Sequence, residues 1–348
     1  MPYSHLSAKV TGLCANCHTM HNSQNGSAVA KTGSGMGWNG SGQLTGGSGG
    51  GPQVNLLVTN CVGCHTSTTN QTIITAGGSR VPIVFNTVQP NYMSPGSSNA
   101  LAGGNFYWVR KGGGDDRMGH NVYGVSDADS RLAHAPGGGH CTTYCHGTLV
   151  FSNITKPFDG TPVMDGCQGC HLYPSHHSDN GIYRFLTGMS YNSTNHNTQY
   201  VAGVEDPDWE QTNSNTKHNY YKGTLAFATI GLSGQGISEF CGGCHDDFHG
   251  YGTSSTNSSP WIRHPTDISL PQTDEYNGYD PVNSYSVEAP VAWVDPSSPA
   301  RSGAIVMCLS CHRAHGSPYP SSLRWDYTAM VAGGGGSGGC FTCHTSKK

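Results

Sequence analysis

The sequence predicts a single domain that is mostly coil with short α-helices and little or no sheet. Glycine and proline account for 50 and 19 of the 348 residues, and only 35% of the residues are hydrophobic. A chain of this composition buries too little apolar side chain to offset the backbone entropy lost on folding. A compact fold over residues 1–348 therefore needs apolar material that side chains do not supply.

The cysteines indicate where that material comes from. All 14 cysteines fall into seven pairs, and a histidine follows each pair directly. This pattern is typical of haem c attachment, in which two thiols form thioethers with the macrocycle and the histidine binds its iron. We predict seven haem c groups that together form the core. The thioether residues are Cys14, Cys17, Cys61, Cys64, Cys141, Cys145, Cys167, Cys170, Cys241, Cys244, Cys308, Cys311, Cys340 and Cys343, and the proximal ligands are His18, His65, His146, His171, His245, His312 and His344.

Two other cysteine frameworks fit this pattern less well. A disulfide scaffold has no need of a histidine after every pair, and chance placement would produce all seven with a probability on the order of 10⁻⁹. A zinc ribbon uses paired cysteines but has no need of the adjacent histidine either. Only the third motif departs from the standard spacing, because three residues separate Cys141 from Cys145.

The motif spacing favours one continuous chain wrapped around a haem stack. The first cysteines of the seven motifs are irregularly spaced, which argues against tandem small cytochrome domains. We expect short helices at the motifs and loops in the glycine-rich segments 33–51 and 333–339. The sequence contains no 18-residue apolar stretch, so we expect no membrane span.

Charge and cofactor chemistry restrict the partners and the compartment. The formal net charge of the chain is -4. With haem propionates and ferric irons the assembly would carry about -11, which disfavours a nucleic-acid partner. Haem c is attached outside the cytoplasm, so we expect secretion through the periplasm, directed by a signal peptide that the sequence does not include.

The remaining histidines are candidates for the second axial position of each iron. We predict that each haem has two histidine ligands, which leaves no open iron site and suits electron transfer rather than catalysis. His140 stays an alternative to His134 and His177 to His176, whereas Met20 and Met118 are less favoured donors. His5, His196 and His218 are predicted not to be ligands. The predicted distal ligands are His21, His120, His134, His176, His249, His264 and His315.

Several segments extend beyond the generic motif and carry a resemblance. They are residues 14–23, Gly119-His120-Asn121, residues 238–245 with His249, Arg263-His264-Pro265 and residues 308–315. In this order along the chain, they resemble the OmcS-type extracellular cytochrome filaments of metal-reducing bacteria.

The resemblance implies a head-to-tail filament of identical subunits with a continuous haem stack. It implies that His21 crosses to the neighbouring subunit and completes the iron held at Cys308, Cys311 and His312, so that segment 1–52 contacts that subunit. An interface of this kind does not close on itself and propagates as a fibre. The resemblance also implies redox partners at the cell envelope and extracellular acceptors such as metal oxides or other cells.

This sequence departs from the type member of that family, which has six haems. The additional motif runs from Cys141 to His146, and its haem either extends the stack or branches from it. Two other functions remain alternatives to the filament. One is a soluble periplasmic or outer-surface electron shuttle, and the other is a multihaem reductase. We predict no catalytic residues, because no conventional catalytic motif is present.

Overall fold

The structure, a computed structural model, describes most of the chain from residue 61 onward. The described residues are 61–76, 78–90, 100–132, 135–136, 149, 166–171, 176, 198–212, 214–225, 236–242, 244–245, 248 and 264–348, together with the short strands at 23–24 and 27–28 and the strand at 182–189. Among these residues, no helix has both the length and the apolar character needed to cross a bilayer.

The α-helices in the described ranges are short, and they lie at the cysteine motifs. The three α-helices are α1 (Cys61–Cys64), α2 (Ile237–Gly242) and α3 (Cys340–Cys343). Single 3-10 turns begin the two other described motifs, at Gly166–Gly169 and Cys308–Ser310. Isolated helices of this length are not stable in water, so their stability must come from what packs against them.

In the described part of the chain, twelve strands, most of them short, form four small sheets. In the largest sheet the order is β10-β12-β11-β9-β8-β7, and all neighbours are antiparallel except β9 and β11. Three two-stranded sheets pair β1 with β2, β3 with β6 and β4 with β5. The strands are β1 (Ser23–Gln24), β2 (Ser27–Ala28), β3 (Thr66–Ser67), β4 (Ile73–Ala76), β5 (Ser79–Pro82), β6 (Phe85–Asn86), β7 (Ile182–Met189), β8 (Thr198–Val204), β9 (Tyr220–Lys222), β10 (Ile268–Ser269), β11 (Ala292–Trp293) and β12 (Ala304–Val306).

The centre of the six-stranded sheet is buried on both faces. Successive side chains of a strand point to opposite faces, and every residue of β12 is apolar. Ala304 and Val306 join one buried cluster with Trp293, while Ile305 joins a second cluster with Ala292. The second cluster also contains Ile237 of α2 and Met307, so the sheet core supports the motifs at Cys241 and Cys308.

A separate apolar cluster surrounds the motif at Cys61. Val62 of α1 packs there with Phe85, Phe106 and Val122, and Cys167 and Met118 lie against the cluster. Met118 therefore packs among apolar side chains near two motifs that are distant in sequence.

The predicted fold class, mostly coil with short helices, is confirmed. The sheets go beyond the expectation of little or no sheet. Hydrophobic alternation was too weak to predict them because most of these strands are two to four residues long. Pairing between remote strands, as between β9 and β11, cannot be read from local sequence.

Candidate functional site

Each described cysteine motif forms one helical turn that ends at its histidine. The histidine N–H donates to the carbonyl of the first cysteine in all five motifs: His65 to Cys61, His171 to Cys167, His245 to Cys241, His312 to Cys308 and His344 to Cys340, at 2.8–3.2 Å. Residues i, i+3 and i+4 share one face of such a turn. Two thiols and an imidazole are therefore presented together, as attachment to a single macrocycle requires.

Four of the motif histidines face a second histidine from elsewhere in the chain. The ring centroids are 6.2 Å apart for His65 and His176, 5.9 Å for His120 and His245, 6.2 Å for His171 and His315, and 6.2 Å for His264 and His344. All four partners are among the predicted distal ligands. The sequence did not indicate which partner faces which motif.

The spacing of these pairs fits a metal ion held between two imidazoles. An imidazole nitrogen binds a metal at about 2.0–2.1 Å and lies roughly 1.1 Å from its ring centre, so two rings on opposite sides of the metal have centroids about 6.3 Å apart. Across the described ranges, groups of three or more histidine, cysteine or acidic residues spaced to hold a free ion are absent. Two opposed imidazoles beside two cysteines form the donor set that haem c requires.

Five of the described motif and distal histidines have one ring nitrogen held by a backbone carbonyl. Donation from Nδ1 to a carbonyl directs Nε2 toward the metal position. Two of these contacts join segments that are far apart in sequence, since His120 bonds to Ala314 and His245 to Pro136. The Nδ1 contacts are His65 with Pro82 at 2.8 Å, His120 with Ala314 at 2.5 Å, His245 with Pro136 at 2.7 Å, His264 with Pro265 at 3.0 Å and His312 with Ser321 at 2.8 Å.

His344 is oriented differently, by a side-chain carboxylate. Its Nδ1 lies 3.3 Å from Oε1 of Glu275, and the Nζ of Lys347 lies 3.4 Å from Oε2 of the same carboxylate. No local signal in the sequence marks Glu275, because it lies far upstream of the motif that it contacts.

Burial favours the neutral form of four of the described histidines. Desolvation lowers the pKa of His65, His245 and His312 below the usual value for histidine. It lowers the pKa of His315 to about 3, and the nearby His171 adds to this effect. Neutral imidazole is the form that presents a lone pair to a metal, so these side chains are prepared for ligation at pH 7.

One five-residue segment, 312–316, connects three of the motifs. His312 ends the turn at Cys308, the Ala314 carbonyl accepts from His120 opposite His245, and His315 faces His171. Gly316 pairs with both Gly104 and Gly119. A Cβ atom on Gly104 would overlap the Gly316 carbonyl oxygen, so the close approach of these two backbone segments depends on glycine.

Two buried arginines hold this segment in place. Arg313 donates to the carbonyl of Leu101 at 2.9 Å, and Arg324 donates to Leu309 at 2.6 Å and to Val287 at 2.7 Å. Both guanidinium groups are almost completely buried, and Glu288 and Glu210 supply nearby negative charge. A buried cation with several acceptors restrains the backbone, because each lost bond would leave an uncompensated charge.

Cysteines of different motifs also contact one another. The Cys61 thiol lies within hydrogen-bonding contact of the Cys167 thiol, which lowers the pKa of Cys61 to about 7. Cys241 has the same relationship with Cys308, and this contact together with burial raises the pKa of Cys241 well above its usual value. The motifs at 61 and 167 are therefore direct neighbours, as are those at 241 and 308.

Two described histidines have no opposing histidine ring in the described ranges. His312 closes its motif without such a partner, and its Nδ1 bonds to Ser321. His218, a predicted non-ligand, is 3% exposed and stacks on Tyr285 at 3.4 Å, and its nitrogens face the carbonyls of Asn219 and Asn215.

The other predicted residues lie outside the described residues. They are Cys14, Cys17, His18, His21, Cys141, Cys145, His146, His134 and its alternative His140, His249, and His177, the alternative to His176. The predicted non-ligands His5 and His196 also lie there, as does segment 1–52 apart from β1 and β2.

Comparison with known proteins gives two similarities at the level of sequence. Residues 298–348 match a family model described as the doubled CXXCH motif. The C-type cytochrome OmcS of Geobacter sulfurreducens (strain ATCC 51573 / DSM 12127 / PCA) is 26% identical, over 93% of this chain and 82% of that protein. This chain is therefore similar to a c-type cytochrome over most of its length.

Two solved structures are also similar in part. The Outer Membrane Cytochrome S filament from Geobacter sulfurreducens is 22% identical, covers 94% of this chain and 86% of its own, and superposes with a TM-score of 0.47. A cryo-EM structure of the OmcS nanowires from Geobacter sulfurreducens is 22% identical, covers 91% and 84%, and has a TM-score of 0.39.

Proposed function

We propose that this chain is a heptahaem c-type cytochrome that passes electrons along an extracellular filament of identical subunits. The observation that carries the proposal is the set of four opposed histidine pairs, each formed by a motif histidine and a remote one, at 5.9–6.2 Å between ring centroids. A haem with two histidine ligands exchanges electrons without opening a coordination site. This favours an electron carrier over an enzyme.

The proposed ligation follows from these pairs. The Cys61 motif has His65 and His176 as its ligands, and the Cys167 motif has His171 and His315. His245 and His120 serve the Cys241 motif, and His344 and His264 serve the Cys340 motif. His134 and His249 are also proposed as distal ligands, on the basis of the sequence alone.

The contacts between cysteines support a continuous path through the subunit. A thioether sulfur is bonded to the edge of its macrocycle, so Cys61 against Cys167 and Cys241 against Cys308 would bring attached edges together. Cys311 also lies close enough to Cys340 for their charges to interact. The described motifs thus form a series in sequence order, and the Cys61–Cys167 contact does not require the Cys141 motif as an intermediate.

We further propose that His312 is completed by His21 of a neighbouring subunit. In the described ranges no second histidine ring faces His312, and its Nδ1 is already bound to the Ser321 carbonyl. A ligand supplied in trans would join each subunit to the next and make polymerisation depend on coordination. The similarity to OmcS, which forms nanowires, supports the same assembly.

The test is to replace His21 by alanine and examine purified holoprotein by electron microscopy and absorption spectroscopy. We expect filaments to be lost and one high-spin haem to appear. His5→Ala is the matched control, since His5 lies in the same terminal segment and is a predicted non-ligand. Filaments that persist with low-spin haems in His21→Ala would contradict the trans ligand.

The two alternative functions have distinct signatures in the native protein. A soluble shuttle would remain monodisperse by electron microscopy under all conditions. A multihaem reductase would bind carbon monoxide strongly when reduced, because it requires an iron with an open distal side. We expect filaments and no strong carbon monoxide binding.

A further inference from the structure

The motif at Cys340 differs from three other described motifs in how its histidine is held. His65, His245 and His312 each place Nδ1 against a neutral backbone carbonyl. His344 places Nδ1 against the carboxylate of Glu275, at 3.3 Å. The acceptor is therefore an anion here, whereas it is a neutral dipole in the other three motifs.

The structure holds this carboxylate firmly against the motif. Glu275 lies in the 3-10 turn Asp274–Tyr276, which packs against the C-terminal turn Thr345–Lys347. The Thr345 hydroxyl donates to the backbone carbonyl of Glu275 at 2.6 Å, and a second bond runs from the Gly278 N–H to that hydroxyl at 3.2 Å. The residue that follows the ligand thus fixes the turn that carries the carboxylate.

The histidine that faces His344 is held by a neutral backbone carbonyl. His264, which faces His344 at 6.2 Å, directs its Nδ1 to the carbonyl of Pro265. Glu275 is therefore the carboxylate that distinguishes the two axial imidazoles. Lys347 offsets part of its charge, but the lysine side chain is 58% exposed and water screens it.

A carboxylate that accepts the Nδ1 proton gives an imidazole more anionic character and makes it a more basic ligand. A more basic ligand favours the ferric over the ferrous iron, because the oxidised iron carries one more positive charge. The negative charge itself opposes the addition of an electron nearby. Both effects lower the reduction potential of that one group.

We propose that Glu275 is a positioning residue that lowers the reduction potential of the haem c attached at Cys340 and Cys343. This rests on the proposed function, since it takes the Cys340 motif as a haem site. Electron transfer to or from this haem would therefore involve a change in reduction potential. That change is set by one side chain, Glu275, that is not itself a ligand.

The test is a redox titration of intact holoprotein carrying Glu275→Gln. Glutamine keeps an oxygen near His344 but removes the charge. We expect one component of the titration to shift upward, and the electron paramagnetic resonance signal of one low-spin haem to change. Lys347→Gln, which leaves the carboxylate without its cation, should shift the same component downward.

The matched control is Asp274→Asn. It removes the same charge one residue away, from an exposed side chain that lies outside the contact with His344. We expect no change in the resonance signal and no selective shift. Equal effects of Asp274→Asn and Glu275→Gln, or no effect of Glu275→Gln, would overturn the proposal.

A separate measurement distinguishes failure of the inference from failure of the proposed function. Mass spectrometry of the tryptic peptide spanning residues 325–347 reports whether a haem is attached at Cys340 and Cys343. Absence of the haem from wild-type peptide would overturn the assignment of this motif, and the proposal with it. Its presence with an unchanged Glu275→Gln titration would overturn only the role of Glu275.

Discussion

The imidazole of His315 faces that of His171, with ring centroids 6.2 Å apart, although the two residues belong to different cysteine motifs. His315 lies three residues beyond His312, the histidine that ends the Cys308 motif. A short peptide therefore joins two predicted haem sites. Movement of segment 312–316 would disturb both, which makes these sites mechanically dependent on each other.

Replacing His315 by alanine should remove one axial ligand while all haems stay attached. The haem attached at Cys167 and Cys170 should become high-spin and bind carbon monoxide when reduced, while the haem count stays at the wild-type value. Absorption spectra and carbon monoxide titration measure this change. His218→Gln is the control, because His218 is buried but bonded to backbone carbonyls. A fully low-spin His315→Ala protein would refute the pairing with His171.

Alanine at Gly104 should be far more destabilising than alanine at Gly112. Both glycines have similar left-handed φ angles, +78° and +73°, so both substitutions carry about 1 kcal/mol of backbone strain. A Cβ at Gly104 would overlap the Gly316 carbonyl, whereas nothing lies within 4 Å at Gly112. We expect a loss of about 3 kcal/mol or more for Gly104→Ala, measured by denaturant unfolding of holoprotein. Equal losses would show that segment 312–316 does not pack as described.

Removing the haem of the additional motif should leave conduction intact. The double variant Cys141→Ser, Cys145→Ser should lose one haem by mass spectrometry but still form conducting filaments, because Cys61 and Cys167 are already in contact. Conductance of single filaments is the measurement. The comparison variant is Cys167→Ser, Cys170→Ser, which should interrupt the path. Intact filaments of the first variant that fail to conduct would place the additional haem in the main path.

Asparagine at Asp206 should stabilise the protein at neutral pH but not in acid. Burial and contact with Asp208 raise the pKa of Asp206 to about 6, above its value in an unfolded chain. Asp206 therefore binds its proton more tightly in the folded state than in the unfolded chain. The stability that this protonation contributes is fully present below about pH 4 and is lost as pH rises through 6. We expect Asp206→Asn to gain about 1–3 kcal/mol at pH 7 and nothing near pH 4, by thermal unfolding.

The control for this prediction is Asp127→Asn. Asp127 is exposed and forms a surface ion pair with Lys111, so its replacement should change stability by less than about 1 kcal/mol at either pH. A pH-independent effect of Asp206→Asn would show that the carboxyl pair with Asp208 does not share a proton.

The proposed attachment chemistry could be predicted from the sequence, because that chemistry is local. Two cysteines and the next histidine lie on one helical turn, as at Cys61, Cys64 and His65, so their spacing alone predicts the group that they hold. Composition likewise predicted a coil-rich fold, since the side chains supply little apolar core. Neither argument requires knowledge of how distant segments pack.

Which histidine faces which motif could not be predicted, because it depends on contacts between segments that are remote in sequence. His176 faces His65 and His120 faces His245, although the members of each pair are remote in sequence. His120 is placed by the contact of Gly119 with Gly316 and by its bond to Ala314, in a segment that Arg313 ties to Leu101. The carboxylate of Glu275 likewise reaches His344 from a remote segment. Long-range packing of this kind leaves no periodic pattern in a sequence. Residue types could therefore suggest which histidines are distal ligands, but not which motif each of them faces.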